Sequence, residues 1–157
     1  MTAPTPLHGL QLLLRHEQEQ RDQAAARLGQ AEAHAQRARE QAERLLAYRA
    51  DYEARWSGQF RQRASIEIVH CYRSFMQRID QALAQQARAV ESAEARRGQA
   101  RVLLLGHEQR CAAVGRLLER RDAELQQQVR RREQKHGDEL AQRMHWAARV
   151  RKLPVPS

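Results

Sequence analysis

The stretch that decides the fold is residues 7–56, which read LHGLQLLLRHEQEQRDQAAARLGQAEAHAQRAREQAERLLAYRADYEARW. Alternating steps of three and four from Leu7 give fifteen positions, and twelve of them carry an apolar side chain. These twelve are Leu7, Leu10, Leu14, Ala24, Leu28, Ala31, Ala35, Ala38, Ala42, Leu45, Tyr52 and Trp56. Heptads repeated at this period predict a left-handed coiled-coil helix whose Gln, Glu and Arg residues face solvent.

A second amphipathic pattern follows a turn signal. Trp56-Ser57-Gly58-Gln59 carries the best turn signal of the interior, and Ser65 ahead of Ile66 is typical of a helix N-cap. The second pattern then runs through Ile68, Tyr72, Phe75, Ile79, Leu83, Val90, Ala93, Ala100, Leu104, Cys111, Val114, Leu118 and Leu125.

Two consecutive amphipathic helices with a short connection become antiparallel neighbours. No proline lies between Pro6 and Pro154 to interrupt them. We therefore expect an all-α fold, an antiparallel two-helix coiled-coil hairpin with a longer C-terminal helix. It would form a single domain over residues 1–157, with helix 1 at about 6–56, a tip at about 57–66, helix 2 at about 66–152 and a tail at 153–157.

The unequal helix lengths predict an unpaired end. With the turn near residue 61, residue i faces roughly residue 122 − i, so Leu7 would lie near Gly115. Helix 2 would then project about 35 residues, or about 50 Å, beyond about residue 116. Its exposed apolar side chains are typical of a binding surface: Leu117, Leu118, Leu125, Val129, Leu140, Met144 and Trp146. A separate apolar cluster is expected at the tip, formed by Trp56, Phe60, Ile66, Ile68, Tyr72, Phe75 and Met76.

The net charge of +9 could indicate binding to nucleic acid, to an anionic membrane or to an acidic protein partner. The arginines alternate with Glu and Gln along both helices, which favours a solvated charged face over a nucleic-acid-binding block. No nucleic acid is therefore expected as a partner. If the chain did bind nucleic acid, its densest basic clusters, at residues 130–132 and 149–152, would be the expected contacts.

The sequence predicts no enzyme, cofactor or metal site. His107 and Cys111 are spaced as helical metal ligands, but a third and fourth ligand are not evident, so both are interpreted as seam residues. Neither a phosphate-binding loop nor a nucleophile elbow occurs. Cys71 and Cys111 are too far apart along a helix to pair. With neither a signal-peptide pattern nor a long apolar span, a cytoplasmic setting is expected.

Four segments resemble the flagellar export protein family FliJ and keep the order of its parts. They are LLLRHE at 12–17, followed by an alanine-rich repeat, LAYRADY at 46–52, FMQRIDQALAQQ at 75–86 and RREQKHGDE at 131–139. The most specific is the Gln-Lys-x-x-Asp-Glu element at residues 134–139. Gly137 is a departure inside this element, in a region expected to be helical.

The resemblance implies a component of the flagellar type III export apparatus, which is similar to the central shaft of rotary ATPases. The implied partners are the hexameric export ATPase ring, the membrane-embedded export gate and the export chaperones that such proteins escort. The implied location is cytoplasmic and peripheral at the inner face of the cell membrane, with a role in flagellum assembly and motility. Carried onto this chain, the partner-binding residues are Arg131, Arg132, Gln134, Lys135, Asp138, Glu139, Tyr48, Tyr52 and Phe75.

Three alternatives share parts of this pattern. A stalk protein of an injectisome has the same architecture, although the element at residues 134–139 favours the flagellar version. A nucleic-acid-binding coiled coil and a cytoskeletal coiled coil without an ATPase partner are the others.

Overall fold

The computed structural model describes residues 5–60, 62 and 65–156. It contains helix α1, His8–Phe60, and helix α2, Ile66–Arg151, of 53 and 86 residues. No strand occurs among these described residues. The expected fold class, an all-α antiparallel helix pair with a longer C-terminal helix, is confirmed.

The chain divides into two compact units. One, the middle unit, is Glu17–Gln109, which holds most of α1 and the first half of α2. The other, the terminal unit, combines the chain up to His16 with the chain from Arg110 onward.

The core of the middle unit is a seam of alanines. Ala35 and Ala93 are 0% and 1% exposed, and Ala38 is buried beside them with Val90 packed against the group. All four lie on the two predicted heptad patterns. A methyl group allows the helix backbones to approach closely but removes little apolar area from water. The seam therefore sets the distance between the two helices, while its contribution to the free energy of folding is modest.

Polar contacts beside this seam set the direction of the helices. Arg39 forms an ion pair with Glu94, and Arg49 Nε donates to Asp80 Oδ1 at 2.7 Å. Residue numbers thus rise along α1 while they fall along α2, which makes the pair antiparallel. The hydrogen bond and the charge of Asp80 also raise the pKa of Arg49 above its ordinary value. Arg49 occupies a heptad position where an apolar residue is expected, and its guanidinium extends out of the seam to reach the Asp80 carboxylate.

The connection between the helices lies later than the turn signal suggested. Helix α1 continues through Ser57 and Gly58 to Phe60 instead of ending at about residue 56. Ser57 Oγ donates to the carbonyl oxygen of Ala54 at 3.0 Å, a bond that is compatible with a continuing helix. Gly58 remains helical, and no described glycine has a positive φ.

The longer first helix also shifts the pairing. Arg49 was expected opposite residue 73 but pairs with Asp80. In the terminal unit, Leu7 and Leu10 line one groove with Leu117 and Leu125, where Leu7 was expected near Gly115. Partial burial on α2 therefore continues to Leu125, and the unpaired end is shorter than expected.

Ser65 caps the N-terminus of α2, as its position in the sequence predicted. The backbone N–H of Ile68 donates to Ser65 Oγ at 3.4 Å, and that of Val69 donates to the Ser65 carbonyl at 3.2 Å. The hydroxyl satisfies one of the N–H groups that have no partner in the first turn of a helix.

The substitution Ser65→Ala is expected to lower the free energy of unfolding by about 1 kcal/mol, because it removes this capping acceptor. Urea denaturation followed by circular dichroism measures the change. Ser74→Ala is the matched control, because Ser74 is exposed within α2 and caps no helix end. Equal unfolding midpoints for the two variants would contradict the capping role.

Candidate partner-binding surfaces

Five aromatic rings pack together in the middle unit, and we call them the aromatic cluster: Tyr48, Tyr52, Trp56, Tyr72 and Phe75. Tyr52 contacts the other four. Its ring centroid lies 4.3 Å from that of Phe75, 5.8 Å from that of Trp56 and 6.1 Å from that of Tyr72. The cluster joins α1 to α2 where the alanine seam ends and large side chains begin.

The cluster differs in part from the apolar tip expected from the sequence. Trp56, Tyr72 and Phe75 belong to it, and Met76 is buried nearby in the chain. Ile66 is 78% exposed and Ile68 40% exposed, because both lie in the first turn of α2. The side chain of Phe60 lies outside the described residues.

Three of the expected partner-binding residues are brought together in this cluster. Tyr48 contacts Tyr52 and Phe75 with ring centroids 6.3 Å apart in each case. Tyr52 and Phe75 are half-buried, whereas Tyr48 is 52% exposed. Within the cluster, Tyr48 therefore offers the most accessible ring, while Tyr52 and Phe75 hold it in place.

The other six expected residues lie on the last part of α2. Every described residue from 126 to 156 is exposed, and we call residues 126–151 the exposed segment. The six are Arg131, Arg132, Gln134, Lys135, Asp138 and Glu139. None of them forms an ion pair with a residue that the structure describes.

Helical spacing places part of this motif on one face of the exposed segment. Arg131, Lys135 and Asp138 follow one another at i, i+4 and i+7, and Gln134 lies beside them. The motif thus presents cations, an amide and a carboxylate in one row, which can form several charge-assisted hydrogen bonds to a partner. Exposed apolar side chains accompany it on the same segment: Val129, Leu140, Met144, Trp146 and Val150.

The terminal unit also contains an apolar groove of about 350 Å³. Leu7 and Leu10 of the N-terminal part face Leu117 and Leu125 of α2, and the polar residues Arg121, Glu124 and Gln128 also line the groove. Leu117 and Leu125 were expected on the unpaired end, but the start of the chain lies against them. Sequence analysis missed this contact because the expected pairing ended at about residue 116.

His107 and Cys111, the pair considered as metal ligands, differ in exposure. Cys111 is buried and His107 half-buried, and both occupy the predicted seam positions of α2. The buried Nδ1 of His107 has no hydrogen-bond partner among the described residues. Within the ranges 5–60 and 65–156, no three His, Cys, Asp or Glu side chains cluster as metal ligands would. Neither described helix has a stretch of the length and apolarity that crossing a bilayer requires.

Comparison with models of protein families identifies a match over most of the chain. A family model described as Flagellar FliJ protein matches residues 7–149 of the 157 in the chain. The match covers all of α1 and nearly all of α2. No curated protein and no solved structure matches the chain.

Proposed function

This chain belongs to the flagellar FliJ family, a component of flagellar type III export, and from that premise we propose that it links the export ATPase ring to the export gate. It also escorts export chaperones. It acts by binding these proteins and catalyses no reaction itself. The observation that carries the proposal is the exposed segment, on which the most specific sequence element has no partner within the described chain.

The exposed segment supports binding to the ATPase in two ways. Its last 26 helical residues make no buried contact in this chain, so all of its surface is available to a ring that encloses it. A single helix without tertiary packing is only marginally stable in water, so a partner that covers it also stabilises it. Arg131, Lys135 and Asp138 supply directional polar contacts that a purely apolar helix would lack.

The aromatic cluster supports the second contact, with the export gate. Tyr48 combines a large apolar face with a hydroxyl, the combination that is enriched where few residues dominate binding. Its neighbours Tyr52 and Phe75 restrict its position before a partner arrives, which lowers the entropy cost of binding. Because the gate is a membrane protein, the chain would be cytoplasmic and peripheral at the inner face of the membrane through its partners.

The direct test of the proposed function is deletion of the gene in its own host. Loss of swimming and of secretion of hook and filament proteins is expected, with both restored by the intact gene. If hook and filament proteins are still secreted at normal levels, the export function is refuted.

The triple substitution Gln134→Ala, Lys135→Ala and Asp138→Ala is expected to weaken binding to the purified export ATPase by at least about tenfold, equivalent to about 1.4 kcal/mol. The reason is the loss of polar side chains from one face of the exposed segment without removal of any buried contact. Biolayer interferometry with the full-length chain measures the dissociation constant.

A matched control is Gln127→Ala, Arg130→Ala and Glu133→Ala, which removes one amide, one cation and one carboxylate from the same segment. These residues are also exposed, so helix content and charge change equally in the two variants. The control is expected to bind within about twofold of the unchanged chain. Equal weakening in both variants would show that net composition, and not the motif, determines binding.

A further inference from the structure

A second apolar surface lies on α2 in the middle unit, and none of its residues belongs to the surfaces proposed above. It consists of Gly98, Gln99, Val102 and Leu103, and we call it the 98–103 surface. Val102 and Leu103 are 69% and 56% exposed, although the heptad seam of the same helix is buried at Ala93. Two large aliphatic side chains are thus left in water beside an exposed glycine.

A groove of about 180 Å³ adjoins this surface and shares Gln99 and Leu103 with it. Ala24 and Ala100 contribute apolar lining, and Arg27 and Arg96 supply positive charge. Neither arginine forms an ion pair with any side chain in the described part of the chain. The groove therefore combines apolar lining with two cations that lack carboxylate partners.

The segment that carries this surface has no acidic residue of its own, although Glu94 and Glu108 flank it. Residues 95–107 read ARRGQARVLLLGH, with three arginines and no Asp or Glu. The net positive charge of this segment favours an acidic partner, whose carboxylates could pair with Arg27 and Arg96.

The spacing of the apolar residues suits a helix. Gly98 and Val102 lie four residues apart on one face of α2, and Leu103 lies about 100° further round the helix, on the side of the groove. Together they form a short exposed apolar strip along which a second helix can pack. A side chain built at Gly98 would meet nothing within 4 Å, so the space beside Val102 is open at the glycine. A partner helix can approach closely there.

We propose that the 98–103 surface and its groove bind an acidic amphipathic helix of a partner protein. Apolar side chains of that helix cover Val102 and Leu103, and its Asp or Glu residues pair with Arg27 and Arg96. A lipid surface fits less well, because residues 95–107 contain no aromatic side chain of the kind that anchors a helix in the headgroup region. The inference does not depend on contact with the ATPase or the gate.

The test uses the full-length chain and a fluorescein-labelled synthetic peptide of about twenty residues with leucines at heptad positions and glutamates beside them. Fluorescence anisotropy is expected to give a dissociation constant of about 100 µM or tighter, with weaker binding as salt increases. A peptide with lysine in place of every glutamate is expected to bind at least about tenfold more weakly.

The decisive variant is Gly98→Leu, which fills the open space of the surface. It is expected to weaken binding of the acidic peptide by at least about tenfold. Its thermal unfolding temperature should be unchanged or higher, because leucine is the better helix former and meets no neighbour. Gly137→Leu is the matched control, since it makes the same change in the same helix outside the surface, and binding within about twofold is expected.

The double variant Arg27→Gln and Arg96→Gln tests the charge pairing and is expected to reduce both affinity and its salt dependence. The proposal is overturned if the acidic peptide does not bind, if the lysine peptide binds as well, or if Gly98→Leu binds as the unchanged chain does. Displacement of the peptide by phosphatidylglycerol vesicles, with no effect of phosphatidylcholine vesicles, would assign the surface to anionic lipid and also overturn it.

Discussion

Replacing Tyr52 by alanine is expected to lower the free energy of unfolding by about 3 kcal/mol, because it removes the ring that contacts all other members of the aromatic cluster. Tyr52 lies on α1 and its closest ring partner, Phe75, lies on α2, with centroids 4.3 Å apart. The alanine seam contributes small side chains, so this cluster supplies much of the apolar area that holds the two helices of the middle unit together. Urea denaturation monitored by circular dichroism measures the loss.

Two further variants separate ring packing from other effects of the substitution. Tyr52→Phe keeps the ring and is expected to change the free energy of unfolding by less than about 1 kcal/mol. Tyr48→Ala removes a half-exposed ring with two neighbours, so a loss of about 1 kcal/mol is expected. If Tyr52→Ala and Tyr48→Ala destabilise equally, the central position of Tyr52 is not important to stability.

The heptad positions predicted the buried seam well. Ala35, Ala38 and Ala93 were placed on the apolar rows by spacing alone, and all three are buried. This success has a simple cause. The period of three and four is a property of the helix itself, so a repeat sustained through many turns leaves little choice about which face is covered.

The turn was harder to place because its signal is local. Ser57-Gly58 is typical of a turn, yet a glycine inside a helix costs only about 1 kcal/mol relative to alanine. Continuation of α1 keeps the backbone hydrogen bonds of its last turn, and within that turn Ser57 Oγ donates to the carbonyl oxygen of Ala54. These hydrogen bonds outweigh a local preference that the sequence displays clearly.

Of the two proposed binding surfaces on α2, the sequence predicted one and missed the other. The motif at residues 134–139 was expected on an unpaired helix, and the structure leaves those residues exposed. Sequence analysis did not predict the 98–103 surface. Leu104 occupies the heptad seam position of this segment, and no role was assigned to its neighbours Val102 and Leu103. The available signal was the run from Val102 to Leu105, four consecutive apolar residues of which one helix face can bury only a part.

Truncation after Gln128 is expected to abolish binding to the export ATPase and to leave a deletion strain non-motile when it is the only copy. The change removes residues 129–157, which include the whole Gln-Lys-x-x-Asp-Glu element and the exposed Trp146. It should hardly affect the stability of the remaining fold, because every described residue from 129 to 156 is exposed. The groove in which Leu7 and Leu10 face Leu117 and Leu125 stays complete.

The truncation therefore separates loss of a binding surface from loss of folding, which deletion of the whole gene cannot do. Its urea midpoint is expected to equal that of the full chain, and its mean residue ellipticity should change little because the removed residues are mostly helical. The acidic peptide should still bind at the 98–103 surface, since Gly98, Gln99, Val102 and Leu103 are all retained. A truncated chain that unfolds at lower urea would mean that the removed residues stabilise the fold, against their exposure. A stable truncated chain that still binds the ATPase and restores motility would refute the assignment of the exposed segment, because an intact fold without that segment would then be sufficient for export.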